Sequence, residues 1–191
     1  MAYIGLYGVY YALCTMTDGV LTGFGGSKTM GKAISASFTP SESDGSNLYA
    51  NNGIAETDAA SSAGGELVLG LDRLKADAIS DLFGLTQATE GQATGWNYTG
   101  SETANAVGVA FIRQKQEDND RNHHEVVIYS HVTFALPTEE ATTLGESVEW
   151  QTPEITGTVI SGSALGTYPW KKVFEFATQA AAIDFIENYF A

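Results

Sequence analysis

Few side chains in this 191-residue chain are equipped for chemistry, and their spacing argues against most of it. The histidines are His123, His124 and His131. On a straight strand adjacent residues point to opposite faces, and so do residues seven apart, so these imidazoles do not converge on a metal without a bulge. Asp118, Asn119 and Asp120 carry oxygens of the kind calcium takes. The glycine and the glutamate of an EF-hand loop are missing at the required spacing, and Asn and Asp are ordinary turn formers. Gly23, Gly25 and Gly26 ahead of Ser27, Lys28 and Thr29 hint at a phosphate loop. That motif needs lysine directly after its glycine and a helix beyond, whereas the residues that follow alternate like a strand. No Gly-x-Ser-x-Gly elbow occurs, the Glu139–Glu140 pair lies in a polar stretch, and Cys14 has no histidine near it in sequence. Trp96, Trp150, Trp170 and Tyr98 are residue types that stack on sugars, and equally types that fill cores and interfaces. The expectation is a protein with no catalytic residue, no metal and no cofactor.

The elements that would position any site are mostly strands. Residues 3–13 are aromatic and β-branched and predict a first strand; 18–29 read as a glycine-rich loop. Over 30–39, Met30, Ile34, Ala36 and Phe38 fall on one side and Ser35, Ser37 and Thr39 on the other, the pattern of a half-buried strand. The stretch 40–65 is polar and small-residued with no period, apart from an apolar cluster of Leu48, Tyr49, Ala50 and Ile54. A loop this long is uncommon in a compact domain. It reads either as a surface loop or as a segment that orders against another chain. Strand 66–71 places Leu67, Leu69 and Leu71 on the core face.

A helix is predicted over 73–83, with Asp72 as N-cap, a stripe of Ala78, Ile79, Leu82 and Phe83, and Gly84 just past its end. Residues 86–104 read as a polar connection. A long hairpin follows: strand 106–113 with Val107, Val109 and Phe111 inward, a polar tip at 116–123, and a return strand over 124–136. On that strand Val126, Ile128, Val132, Phe134 and Leu136 face a core, and Glu125, Tyr129, His131 and Thr133 form the polar or amphipathic side. Segment 146–160 is β, interrupted at Pro153. Strand 171–176 precedes a helix over 179–189, capped by Thr178, with Ala182, Ile183, Phe185, Ile186 and Tyr189 inward. Nothing marks a second domain. The fold class expected is α+β, mainly β: one domain over 1–191, a β-sandwich or barrel-like body with a flanking helix and a C-terminal helix.

Composition narrows the partners. Nine Lys plus Arg stand against 23 Asp plus Glu, a net charge of -14. So few cations cannot release the counterions that drive tight nucleic-acid binding, nor dock the chain on an anionic membrane. The start MAYIGLYGVYYAL lacks a basic segment and a cleavage site, so no secretory signal is predicted. No apolar run nears the roughly 20 residues of a membrane span.

The order of several segments resembles the major tail proteins (tail tube proteins) of long-tailed bacteriophages, of the type found in phages of Gram-positive hosts. The matching stretches are AYIGLYGVYYAL, MGKAISASFTP, NLYANNGIAETDAASSAGGELVLGLDRL, VGVAFIRQKQ, LGESVEWQTPEITGTV and WKKVFEFATQAAAIDFI, spread over nearly the whole chain. The resemblance implies a tail-tube fold that assembles as hexameric rings stacked into a hollow tube, the conduit for double-stranded DNA on its way into the host. It implies a virion protein made in the host cytoplasm, with further copies of itself, a tape measure protein, the tail terminator and tail-tip or baseplate proteins as partners; DNA passes without specific binding. A long loop in the family reaches a neighbouring subunit. Here that loop is 40–65, with Leu48, Tyr49, Ala50, Asn51, Asn52, Ile54 and Glu56 as its contact residues. Alternation makes Ser35, Ser37, Glu66, Glu125 and Glu149 the candidates to face the lumen. Two other readings are a tube protein of a contractile injection or secretion machine, and, from the tryptophans, a carbohydrate-binding β-sandwich.

Overall fold

The computed structural model describes residues 2–42, 47–50, 53–57, 62–117, 120–139, 143 and 152–191. Its backbone is mostly antiparallel sheet, as the β-branched and aromatic runs require. In chain order the strands are β1 (Ala2–Thr17), β2 (Val20–Phe24), β3 (Lys28–Gly31), β4 (Ala33–Glu42), β5 (Asn47–Ala50), β6 (Gly53–Thr57) and β7 (Ser62–Leu71). After helix α1 (Ala76–Phe83) come β8 (Thr86–Glu90), β9 (Ala93–Asn97), β10 (Ala106–Glu117), β11 (Asp120–Phe134), β12 (Glu154–Ile160) and β13 (Lys171–Phe176), and then helix α2 (Gln179–Tyr189).

The pairings form one path that ends at β4. β1 pairs with β10, β10 with β11, β11 with β12, β12 with β7 and β7 with β4. β4 is separated from β3 only by Lys32, and β3 pairs back onto β1. The result is a barrel-like body. Its interior holds Val9, Tyr11, Met30, Leu67, Leu69, Leu71, Val107, Val109, Phe111, Ile155 and Val159, with α1 packed against the same core through Ala78, Leu82 and Phe83. Tyr11 Oη donates to Asp81 Oδ2 at 2.8 Å and Lys28 Nζ to the same oxygen at 2.7 Å, tying α1 to β1 and β3. A second core lies on the outside of the same wall, where Ala182, Ile186 and Phe190 of the C-terminal segment cover Ala12, Ala110, Ile112, Val126 and Ile128. The helix there starts as predicted, with Thr178 Oγ1 accepting from Ala181 N at 3.2 Å.

One bulge organises β11. Val107 pairs with Val132 but Val109 with Tyr129, so Gly108 of β10 opposes both Ser130 and His131 of β11. The extra residue turns the strand over. Val127 and Tyr129 before it and Val132 and Phe134 after it therefore share the inner core, while Val126 and Ile128 face α2. The simple even–odd reading of 124–136 is corrected accordingly. Tyr129, His131 and Glu125 are buried, and Leu136, expected inside, lies beyond the strand and is 53 % exposed.

Other expectations are corrected in detail. Ile34 is 55 % exposed, because a register shift between Ala33 and Ser35 moves it to the outer face. The glycine-rich 18–29 contains β2, which pairs with β1, and the polar 86–104 contains the β8–β9 hairpin. The stretch 40–65 contains β5 and β6 as a two-stranded hairpin. The hairpin of β10 and β11 pairs out to Glu117 and Asp120, so its tip is shorter than 116–123. α1 begins three residues later than predicted, after Lys75. Asp72 does not cap it: its Oδ1 accepts from Lys32 N at 2.7 Å and Arg73 N at 2.8 Å. Gly84 does end the helix, at φ 65°. Pro153 stands just before β12, where its carbonyl accepts from Leu71 N at 3.0 Å.

Candidate assembly surfaces

Asp118, Asn119 and Glu140 lie outside the described residues. Among the described residues no group of three His, Cys, Asp or Glu side chains is placed to hold a metal. Cys14 is partly buried, with Sγ 3.5 Å from Ser130 O, and burial pushes its thiol pKa up to about 12, so little thiolate is present at neutral pH. Burial also lowers the His131 pKa, favouring the neutral ring. Glycines 23, 25 and 26 lead into β3, not a helix. Trp170 packs with Phe38 and Tyr129 against the inner core, and Trp96 donates Nε1–H to Ser80 Oγ at 3.0 Å. Trp150 lies outside the described residues.

Three of the five lumen candidates come together. Ser35 and Ser37 on β4 and Glu66 on β7 are exposed on the outward face of the β4–β7–β12 wall. Ser37 stands opposite Val68, Thr39 opposite Glu66, and Glu66 opposite Thr158. The side chain of Ser35 covers Gly70, whose absent Cβ would lie 2.4 Å from Ser35 Oγ. No Lys or Arg occurs in any of these three strands. The face is therefore hydroxyl-rich and acidic, with no cation of its own to grip a phosphate.

Glu125 is the exception. It is 4 % exposed and forms ion pairs with Arg113 and Lys115, so it is not a free carboxylate facing solvent. The bulge and the neighbouring β13 bring it under cover; Lys115 also reaches Glu175, which sits opposite Glu125 on β13. Sequence reasoning missed this network because its members come from β1, β10, β11 and β13. Glu149 lies outside the described residues.

The 40–65 segment is the other candidate surface. β4 and β7 pair as far as Glu42 and Ser62, and the β5–β6 hairpin lies between them in sequence. Leu48, Tyr49, Ala50, Ile54 and Glu56 belong to its strands, and Asn51 and Asn52 lie outside the described residues. Among the sheet edges left unpaired in the described residues, where β2 and β4 also have one partner each, two stand out. β13 pairs only with β11, and residues 2–7 of β1 pair only with β10. Both edges carry exposed apolar side chains, Tyr3 and Ile4 on one, Val173 and Phe174 on the other. Unpaired strand edges are templates for pairing with another chain.

Among the described residues no helix is long and apolar enough to cross a membrane. In comparisons with known proteins, the chain matches no family model and no curated sequence.

Proposed function

We propose that this chain is a structural virion protein, the tail tube protein of a long-tailed bacteriophage, which assembles into stacked hexameric rings that conduct double-stranded DNA. The observation that carries the reading is the combination of two open, apolar strand edges with an outer β4–β7–β12 face that bears hydroxyls and carboxylates but no cation. Edges of this kind favour strand addition by a neighbour, and a cation-free face lets a polyanion pass without holding it. The ordered segment resemblance points the same way. Further copies of the chain, a tape measure protein, a tail terminator and tail-tip proteins are the partners this role requires.

Electron microscopy of the purified protein at high concentration tests the reading, with rings or tubes as the expected result. Persistent monomers, even with tape measure and tail initiator proteins present, would contradict it. Deleting residues 46–56 should leave a folded monomer, because β4 and β7 pair with each other on either side of the deleted stretch, yet stop tube growth. Normal tubes from the deletion would remove the arm from the mechanism.

A further inference from the structure

The few cations of this acidic chain are unevenly placed. Of nine Lys and Arg residues, Lys28, Lys32, Arg73 and Lys75 gather where the start of β4 meets the segment between β7 and α1. A pocket of about 480 Å³ opens there, its lining including Tyr7, Thr29, Lys32, Asp72, Arg73 and Lys75. The backbone holds these residues together. Asp72 N donates to Lys32 O at 3.0 Å and Lys75 N to Met30 O at 3.1 Å, while Asp72 Oδ1 accepts from two backbone N–H groups. Gly31 makes the close approach possible, since a Cβ there would lie 2.3 Å from Arg73 O.

Part of the charge is met nearby, since Lys32 and Arg73 both act on the Asp72 carboxylate. Lys28 is taken by Asp81, and Lys75 Nζ donates to Thr29 Oγ1. Lys32 and Arg73 form no ion pair among the described residues. Asp72 is the one carboxylate in the lining, against three cations; Asp77 of α1 is not part of it. Three cations against one carboxylate leave an excess of positive charge, which favours an anion placed among them.

The same pair of strands carries a matching anion at its other end. The stretch 40–65 bears Glu42, Asp44, Glu56 and Asp58 and no Lys or Arg. β4 starts at Ala33, which lines the pocket, and runs ten residues to Glu42. At ~3.3 Å per residue the two ends lie about 30 Å apart, so the arm leaves the sheet far from its own pocket. Complementary patches at opposite ends of one element make a head-to-tail contact, in which each copy offers an arm and receives one. We infer that the pocket of Lys32, Arg73 and Lys75 is the socket for the acidic 40–65 arm of a second copy of this chain. The inference rests on the tube reading and gives the arm its receiving site.

Charge reversal tests it. Arg73→Glu/Lys75→Glu makes an acidic socket and keeps the acidic arm; Glu42→Lys/Asp44→Lys/Glu56→Lys/Asp58→Lys makes a basic arm and keeps the basic socket. Circular dichroism first establishes that both are folded. Each variant alone should raise the critical concentration for assembly by more than about a hundredfold, since like charges then meet across the contact. Mixed one to one they should assemble, because each arm now meets an opposite socket, and the rings should alternate the two variants. Sedimentation velocity and negative-stain microscopy read both results. Assembly of wild type and of the socket variant at the same concentration would overturn the socket and leave the tube reading standing. So would a folded mixture that stays monomeric while wild type assembles. Wild type that never assembles would overturn both. If the socket variant assembles normally and titration shows wild type binding inorganic phosphate in the pocket, the site serves a small anion and the arm does not use it.

Discussion

Replacing Glu125 with alanine is expected to lower the stability of the chain by about 3 kcal/mol at neutral pH, because it strands two cations that the fold has largely withdrawn from water. Arg113 faces Glu125 directly across the β10–β11 ladder, and Lys115 lies two residues further along β10. Both form ion pairs with Glu125, and Tyr3 Oη donates to Oε1 at 3.3 Å. The Arg113 guanidinium also sits 4.3 Å from the centre of the Tyr3 ring. Breaking a fully buried pair costs about 3–5 kcal/mol. Arg113 keeps 32 % of its side chain exposed, which places this case at the low end. Glu125→Gln retains the shape and part of the hydrogen bonding, so its cost should be smaller.

The same network sets a pH dependence. Burial alone would raise the Glu125 pKa, but the hydrogen bonds from Lys115 and Arg113 and their charges outweigh it and hold the carboxyl below its ordinary value. A group whose folded pKa is depressed contributes fully above its unfolded pKa, ~4.3 for glutamate, and loses that contribution as pH falls through the lower folded value. Urea midpoints at pH 7 and pH 3 should therefore converge between wild type and Glu125→Ala as the solution is acidified. Equal midpoints at pH 7 would show that the pairs contribute nothing.

Gly64→Ala should be comparably damaging for a purely steric reason. Gly64 stands near the start of β7, paired with Ile160 of β12, at a φ of 101°. A Cβ there would lie 2.0 Å from Val159 O, a backbone atom that cannot swing aside. Backbone strain of about 1–3 kcal/mol and a similar overpacking cost suggest a loss of roughly 3 kcal/mol. For a chain of this size that lowers Tm by about 6–12 °C. Gly19 supplies the control: its φ is 77°, but a Cβ there meets nothing within 4 Å. Gly19→Ala should cost only the left-handed strain, about 1–2 kcal/mol. Similar melting shifts for the two variants would mean that the contact with Val159 is relieved cheaply.

The legible parts of the fold were those where one face is apolar and the ladder is regular. Leu67, Leu69 and Leu71, then Val107, Val109 and Phe111, announce their core by period alone, and Thr178 announces its helix by cap chemistry. The strands that escaped notice, TQATE and ATGWN in β8 and β9, are polar and small-residued apart from Trp96, which packs against the inner core, and have no alternating buried face. Bulges defeated the rest. One register shift exposes Ile34, and another lets Tyr129 and Phe134, of opposite parity, share a core. Ser35, Ser37 and Glu66 were legible as an outer face because no bulge separates Ser35 from Ser37. The socket was not, because Lys32 and Arg73 are distant in sequence and meet through hydrogen bonds of Asp72 and Lys75 that no period announces.

The pairing of β1 with β10 also sets an order of events during synthesis. Ala2 pairs with Gln116 and Leu13 with Val107, so β1 waits for a partner roughly a hundred residues downstream. Until that partner leaves the ribosome, β1 has only the short ladders of β2 and β3 to hold it. Closing so large a loop carries an entropic cost that local turns do not, and such topologies fold slowly. The nascent chain must therefore keep the aromatic, β-prone β1 from pairing with its neighbours on the polysome, and the acidity of the chain supplies repulsion between copies through that interval.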